Sequence, residues 1–326
     1  MKNNENMLKI SVVIPCFNGW RFMGKCLTSL ETQTILPYEV IIVDDCSSDN
    51  SFESLSKFVN NSSINIVLER NSVNSGPGVT RKNAIQMAKG DYIAFCDCDD
   101  WYEPTFIEDF MNKIKESNAD IIICDNYVVT EKKKYIDGIT NRLINKNKNE
   151  ILALYKMSMW RCGIRRELFS YINDVGGYYA EDGLTIVQLI MKANKIDIIN
   201  KPLYNYYCRT DSASNKPNPK AYYEMVDVYK IIEKLLINDY HDECIFLGVK
   251  YICYSALLNG FKSNISLFEI RKCITEFTQK YPDWISNKYV YSLGKFKRLF
   301  LVMVYLRLFT ACKLLAKLHS FVINKR

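Results

Sequence analysis

Short apolar runs alternate with amphipathic stretches along the first half of the chain. Ile10-Ser11-Val12-Val13-Ile14, ended by Pro15, reads as a buried strand, and so do Val40–Val43, Ile64–Leu68, Tyr92–Cys96 and Ile121–Cys124. Between these runs the apolar residues recur at helical spacing. Cys26, Leu27 and Leu30 share one face of a helix over 24–32, and Phe52, Leu55 and Phe58 share one over 51–58. The turn Asn74-Ser75-Gly76-Pro77-Gly78 opens a helix through Ala88, and a further helix is expected over Thr105–Lys115. Near-continuous apolar strands separated by such helices predict an α/β fold with a mainly parallel sheet covered on both faces.

Residues Thr130 to Asn149 are polar and rich in Lys and Asn, and are expected to form a loop. Beyond Pro219 the pattern turns helical, over Tyr222–Leu236, Cys244–Leu258 and Leu267–Phe277. From Phe296 to Leu318 the apolar stretch is interrupted by Arg307, Lys313 and Lys317, too often for a spanning helix. One basic amphipathic helix lying at a membrane surface is expected there, with core packing or a dimer contact as the alternative. The chain is therefore divided into a catalytic domain over 1–215, a helical extension over 216–290 and a membrane-associating segment over 291–326.

Ligands on parallel sheets bind beyond the carboxyl ends of the strands. Those ends carry Pro15-Cys16-Phe17-Asn18, Asp44-Asp45 and Asp97-Cys98-Asp99-Asp100. Carboxylates packed this closely raise one another's pKa unless a positive group is shared between them. A divalent cation carrying a phosphorylated ligand would serve; an acidic loop capping the next helix is the alternative.

Composition narrows the field. The chain has 326 residues, 48% hydrophobic and 24% charged, which is ordinary for a globular protein. Its net charge of +7 is concentrated late, at Lys295, Lys297, Arg298, Arg307, Lys313, Lys317, Lys325 and Arg326. That asymmetry points to an anionic surface, and with no nucleic-acid-binding motif beside it the expected partner is not nucleic acid. The twelve cysteines never form a C-x-x-C pair and only His241 and His319 could join them, which argues against zinc. Met1–Met7 is polar and unlike a secretory leader, so reduced thiols and a cytoplasmic location are expected.

The segment Ser11-Val12-Val13-Ile14-Pro15-Cys16-Phe17-Asn18 resembles the opening of the family-two glycosyltransferases, which have the GT-A fold. The resemblance continues in order through Cys26–Thr34, Glu39–Asp49, Asn74-Ser75-Gly76 with Arg81-Lys82-Asn83-Ala84, and Gly90–Asp100, and covers about two thirds of the chain. It implies that Pro15, Phe17 and Asp45 form the wall for the nucleotide base and ribose, with Phe17 where the family often has tyrosine. Arg81 sits in the first turns of the helix entered through Gly76 and Gly78, whose amino terminus favours phosphate, and is expected at the donor's diphosphate, with a surface salt bridge as the alternative. Asp99 and Asp97 are expected on the Mg²⁺ or Mn²⁺ that the resemblance implies (Asp97 with the ribose as its other role), and Asp100 is expected to orient the loop. Gly176-Gly177-Tyr178-Tyr179-Ala180-Glu181-Asp182 matches the family's Glu-Asp pair, which makes Asp182 the expected general base. A capping role on a helix over Leu184–Ala193 is compatible with that assignment. Arg209 and Ser212, in a segment resembling the family's strand and loop after the base, are expected to meet the diphosphate. The absence of Q-x-x-R-W favours transfer of a single sugar over polymerisation.

The resemblance thus implies an inverting, metal-dependent transferase. It would take a nucleotide-diphospho-sugar, UDP-linked, and act on a glycan or lipid-linked glycan at the inner face of the cell membrane. The competing readings are a D-x-D phosphohydrolase, which normally carries its motif on the opening strand, and an inactive membrane-bound partner protein.

Overall fold

The computed structural model describes residues 8–172, 180–209 and 217–324. Packing divides the chain into two compact units. The first comprises residues up to Asn145, Lys156–Val175 and Glu181–Cys208; the second takes Lys146–Tyr155, Gly176–Ala180 and everything from Arg209 onward. The division thus falls at 208 rather than 215, a piece from mid-chain joins the second unit, and 291–326 is not separate from 216–290.

The first unit begins with β1 (Ile10–Cys16), α1 (Gly24–Glu31), β2 (Glu39–Asp44), α2 (Ser51–Val59), β3 (Ile66–Arg70), α3 (Gly76–Met87) and β4 (Tyr92–Phe95). These four strands are parallel, in the order β3-β2-β1-β4. The chain steps outward from β1 through β2 to β3, then returns to the other side of β1. The gap between β1 and β4 is therefore the switch point at which a doubly wound sheet opens its crevice. β3 sits two residues later than its apolar run suggests. As the edge strand it is only half-buried and ends in the exposed pair Glu69 and Arg70, so hydrophobicity marks it poorly.

The unit continues through β5 (Trp101–Tyr102), α4 (Phe106–Ser117), β6 (Ile121–Val129) and β7 (Lys134–Asp137). After α5 (Lys148–Leu154), which belongs to the second unit, come β8 (Cys162–Arg165), α6 (Glu181–Lys192) and β9 (Ile196–Tyr207). β8 runs antiparallel between β4 and β6, β9 is parallel to β6, and β5 and β7 pair antiparallel with β9 and β6. The sheet is thus parallel across β3-β2-β1-β4 and mixed beyond. The expected loop over 130–149 instead holds β7 and the start of α5, whose Asn147 and Glu150 form a capping box. Gly163 is glycine for a packing reason: a Cβ there would come within 2.5 Å of the Phe110 ring.

One apolar cluster joins the sheet to α1 and α4 through Cys26, Leu27, Leu30, Phe106, Phe110 and Ile114. Tyr102 stacks on Phe106 at 3.7 Å and Phe106 on Phe110 at 4.4 Å. Burial of these rings fixes the segment just after the acidic motif to the core.

The second unit is helical: α7 (Pro219–Leu236), α8 (His241–Gly248), a π-helical stretch Val249–Ala256, α9 (Leu257–Lys262), α10 (Leu267–Lys280), α11 (Lys295–Tyr305) and α12 (Phe309–Asn324). His241–Lys262 is continuous and long and apolar enough to cross a membrane by length, but most of its apolar window lies buried inside the unit. The carboxyl-terminal segment is two helices, not the single one expected. Arg307 adopts φ 60°, a left-handed turn that ends α11 and redirects the chain.

Candidate functional site

The carboxyl ends of β1 and β2 lie level, with Cys16 opposite Asp44, and β4 flanks β1 with Phe95 opposite Val13. The loops after these strands are tied together. Asn18, at φ 49°, donates its N–H to Ser47 Oγ at 2.9 Å and accepts from the Ser48 N–H at 2.9 Å. This clamp leaves Phe17 43% exposed, a free ring rather than a core aromatic, beside the half-buried Pro15.

The two neighbouring aspartates have separate structural tasks. Asp44 is fully buried, accepts from the Ser47 N–H at 2.9 Å, closing its own turn, and forms an ion pair with Arg70, whose Nε lies 3.3 Å away. Asp45, 3% exposed, reaches across to the start of α3. Its Oδ1 accepts from Asn71 Nδ2 at 2.8 Å and the Ser75 N–H at 2.9 Å, and its Oδ2 from the Gly76 N–H at 2.8 Å. Gly76 holds φ 83°, which its missing side chain permits. The amino terminus of α3, expected to face phosphate, thus donates to Asp45.

Arg81, expected at the donor's diphosphate, is 6% exposed and paired with three carboxylates. Its Nη2 lies 2.7 Å from Asp97 Oδ1, and its Nη1 lies 3.0 Å from both Glu181 Oε1 and Asp182 Oδ1. Among the described residues its Nε has no partner. Burial alone would lower the guanidinium pKa, but Asp182, Asp97 and Glu181 together hold it above its usual value. Burial, then the charge of Asp182, pushes Glu181 up to about 7, with Arg81 opposing. Burial likewise raises Asp182, again against Arg81.

α6 starts at Glu181, so Asp182 lies inside the first turn and does not cap a helix beginning at Leu184. Both carboxylates there suit the positive end of the helix dipole. Ala180, immediately before them, has φ 64°, a conformation alanine rarely adopts.

In the acidic motif, Asp97 and Asp99 are partly exposed while Asp100 is 1% exposed. Asp100 accepts from the Tyr204 hydroxyl at 2.6 Å and the Tyr207 N–H at 2.7 Å, and the Asp97 N–H donates to the same Tyr204 oxygen at 3.1 Å. Asp100 therefore anchors the motif to β9. Burial first, then Asp97 and Asp99, raise its pKa well above the carboxylate range. The Cys98 thiol is also pushed up, by its hydrogen bond to Cys16 and by burial, with Asp99 and Asp97 adding to the shift. Asp97 and Asp99 thus raise the pKa values of the groups on both sides of them, and two hard-oxygen donors there fit a divalent cation. Among the described residues no cluster of three or more His, Cys, Asp or Glu side chains forms a ready cage. Such a cation would depend on phosphate oxygens from a donor to complete its shell.

Arg209 belongs by packing to the second unit. Ser212, Gly176, Gly177, Tyr178 and Tyr179 lie outside the described residues. Sequence reasoning left Tyr204 without a role; it lies 104 positions from its partner Asp100, and no local pattern announces the pair. Glu181 was visible beside Asp182 but carried no assignment.

A sheet with this switch point, an acidic motif at the end of β4 and a Glu-Asp pair facing it define the GT-A architecture of nucleotide-sugar transferases. Residues 11–169 match the model of Glycosyl transferase family 2 and form a domain of that family. It is 28% identical over 244 residues to glycosyltransferase GlyA of Streptococcus pneumoniae, covering 71% of this chain and 35% of GlyA. It is 25% identical over 299 residues to the Staphylococcus aureus poly(ribitol-phosphate) beta-N-acetylglucosaminyltransferase TarS, covering 85% of this chain and 50% of TarS. The chain thus spans half or less of the length of these relatives. The structure of TarS 1-349 in complex with UDP-GlcNAc superposes with TM-score 0.71 at 22% identity, over 95% of this chain and 91% of that one. A mannosyltransferase from Pyrobaculum calidifontis, in complex with GDP-Man and Mn2+, gives TM-score 0.57 at 12% identity, over 97% and 88%.

Proposed function

We propose that the protein transfers one sugar, with inversion, from a UDP-sugar to a hydroxyl of a glycan or lipid-linked glycan. One observation carries this reading: a single guanidinium, Arg81, joins Asp97 of the acidic motif to Asp182 on α6, at 2.7 and 3.0 Å. A donor-side carboxylate and a candidate base are thereby held at fixed separation, as a displacement at the donor's anomeric carbon requires.

Phe17 and Pro15 offer an apolar wall for the base of the nucleotide. Asp45 contributes indirectly, by holding the loop that carries Ser75 and Gly76 against the β2 end. Asp97 and Asp99 would hold Mg²⁺ or Mn²⁺ together with the diphosphate, and the cation would offset the charge gathering on the departing nucleotide. Asp182, with a pKa raised by burial, is suited to accept the proton of the acceptor hydroxyl as its oxygen attacks. The new glycosidic bond forms opposite the breaking sugar–phosphate bond, and the nucleotide leaves as its diphosphate. The complex of TarS with UDP-GlcNAc supports a UDP-linked donor, and the Mn2+ in the mannosyltransferase supports a divalent cation.

A panel of nucleotide sugars incubated with Mn²⁺ or Mg²⁺ tests the proposal. Hydrolysis or transfer from one UDP-sugar is expected. Release of phosphate from simple phosphomonoesters without turnover of any nucleotide sugar would favour the phosphohydrolase reading and overturn this one.

A further inference from the structure

The two carboxyl-terminal helices have one face packed and one bare. Phe300, Leu301 and Val304 of α11, and Phe309, Cys312 and Ala316 from α12, are buried within the second unit. Phe300 meets Tyr254 edge-on at 5.6 Å, and Tyr305 meets Trp284 at 5.6 Å. Leu299, Val302, Leu306, Leu308, Leu314 and Leu318 remain 44–62% exposed. On α11 and its C-cap the spacing 299, 302, 306 forms a stripe, and 314 and 318 repeat the spacing on α12. Isolated exposed leucines need no explanation; an ordered stripe on consecutive helices does.

Charge identifies the occupant. Downstream of Asp283 the sequence contains no acidic residue, while Lys295, Lys297, Arg298, Arg307, Lys313 and Lys317 punctuate the stripe. α11 opens at Gly294 with no side-chain cap and no acidic residue in its first turn, yet that turn carries Lys295, Lys297 and Arg298. Three cations at the positive end of a helix dipole oppose it, and an anion placed there would relieve the conflict. Beside them lies a groove of about 340 Å³ that pairs Lys295 and Arg298 with Val290, Tyr291, Leu299 and Val302. A phosphate over the two basic heads and an acyl chain along the apolar floor match this division of polarity.

We propose that α11 and α12 form a docking surface for a bilayer containing anionic phospholipid, with the leucine stripe dipping below the headgroups and the basic residues meeting them. The surface spans two helices joined through the left-handed turn at Arg307, each with its own exposed leucines. This inference rests on the second unit alone and does not depend on the reaction proposed above.

Vesicle flotation of the full chain tests it. The protein is expected to float with vesicles of phosphatidylcholine mixed with phosphatidylglycerol and to stay behind with phosphatidylcholine alone. High salt should lower the bound fraction, because the headgroup attraction is screened. Leu299→Glu with Leu306→Glu, and separately Lys295→Glu with Arg298→Glu, should each lower partitioning at least about tenfold. Unchanged thermal unfolding would show that these variants still fold. Equal flotation with both vesicle types, or none with either, would overturn the proposal. So would conversion of a dimer to a monomer by the leucine variant with flotation unchanged, since the stripe would then be a self-association face.

Discussion

The Nη1 of Arg81 lies 3.0 Å from Asp182 Oδ1, and through its other nitrogen the same guanidinium reaches Asp97 at 2.7 Å. A residue on α3 therefore sets the distance between a carboxylate after β4 and another at the start of α6. Neither strand nor helix could fix that spacing alone, because the two carboxylates are 85 positions apart and belong to different elements.

Removing that link should cost both stability and activity. Arg81→Ala strands three buried or half-buried carboxylates, and a loss of about 3 kcal/mol or more in unfolding free energy is expected. Arg81→Lys keeps a charge but loses the planar fork that serves three partners, so it should recover part of the stability and little of the turnover. Urea unfolding and donor hydrolysis measure the two effects. Native stability in Arg81→Ala would contradict the clamp.

The pH dependence of stability should carry the signature of Glu181. Burial and Asp182 raise its carboxyl from 4.5 to about 7 in the folded protein. The folded state then binds this proton more tightly than the unfolded chain. The contribution is complete below the ordinary carboxyl pKa and is lost as the pH rises through about 7. Glu181→Gln should flatten that slope in urea titrations between about pH 5 and about pH 8.

Asp182→Asn should separate binding from chemistry. UDP affinity, read by calorimetry, is expected to stay near native, while transfer falls by about a hundredfold or more. Transfer at the native rate would remove Asp182 from the role of base.

Tyr204→Phe tests the anchor of the acidic motif. It deletes the hydroxyl that donates to Asp100 and receives the Asp97 N–H, leaving one buried and one part-buried polar group without that partner at a cost of about 1–3 kcal/mol. Thermal unfolding should register that loss. Metal-dependent UDP binding should weaken along with it, because Asp97 is no longer held in place.

Asp99→Ala, or chelation of the divalent cation, should abolish donor turnover while leaving the fold intact, since Asp99 is partly exposed. Restoration of turnover by added Mn²⁺ or Mg²⁺ after chelation, in the native chain alone, is the expected control. Undiminished turnover in the chelator would show that the reaction needs no metal.

The apolar runs by themselves determined five strands of the first unit, most of its helices, and the convergence of polar residues on one end of a sheet. Burial on both faces leaves that record in any sequence, because a strand with no solvent-facing side has no polar positions to spare. The ordered motifs likewise marked Asp97, Asp99 and Asp182 as candidates for the site. Tertiary structure decided the rest. β5, β7 and β8 are too short or too polar to show a period, and exist because neighbouring strands offer unpaired hydrogen-bonding groups. That Asp45 seals α3, that Arg81 turns inward to three carboxylates and that Tyr204 holds Asp100 all depend on side chains brought together from distant positions. Local pattern records which residues are buried; only the folded chain determines which charges must neutralise one another once water is gone.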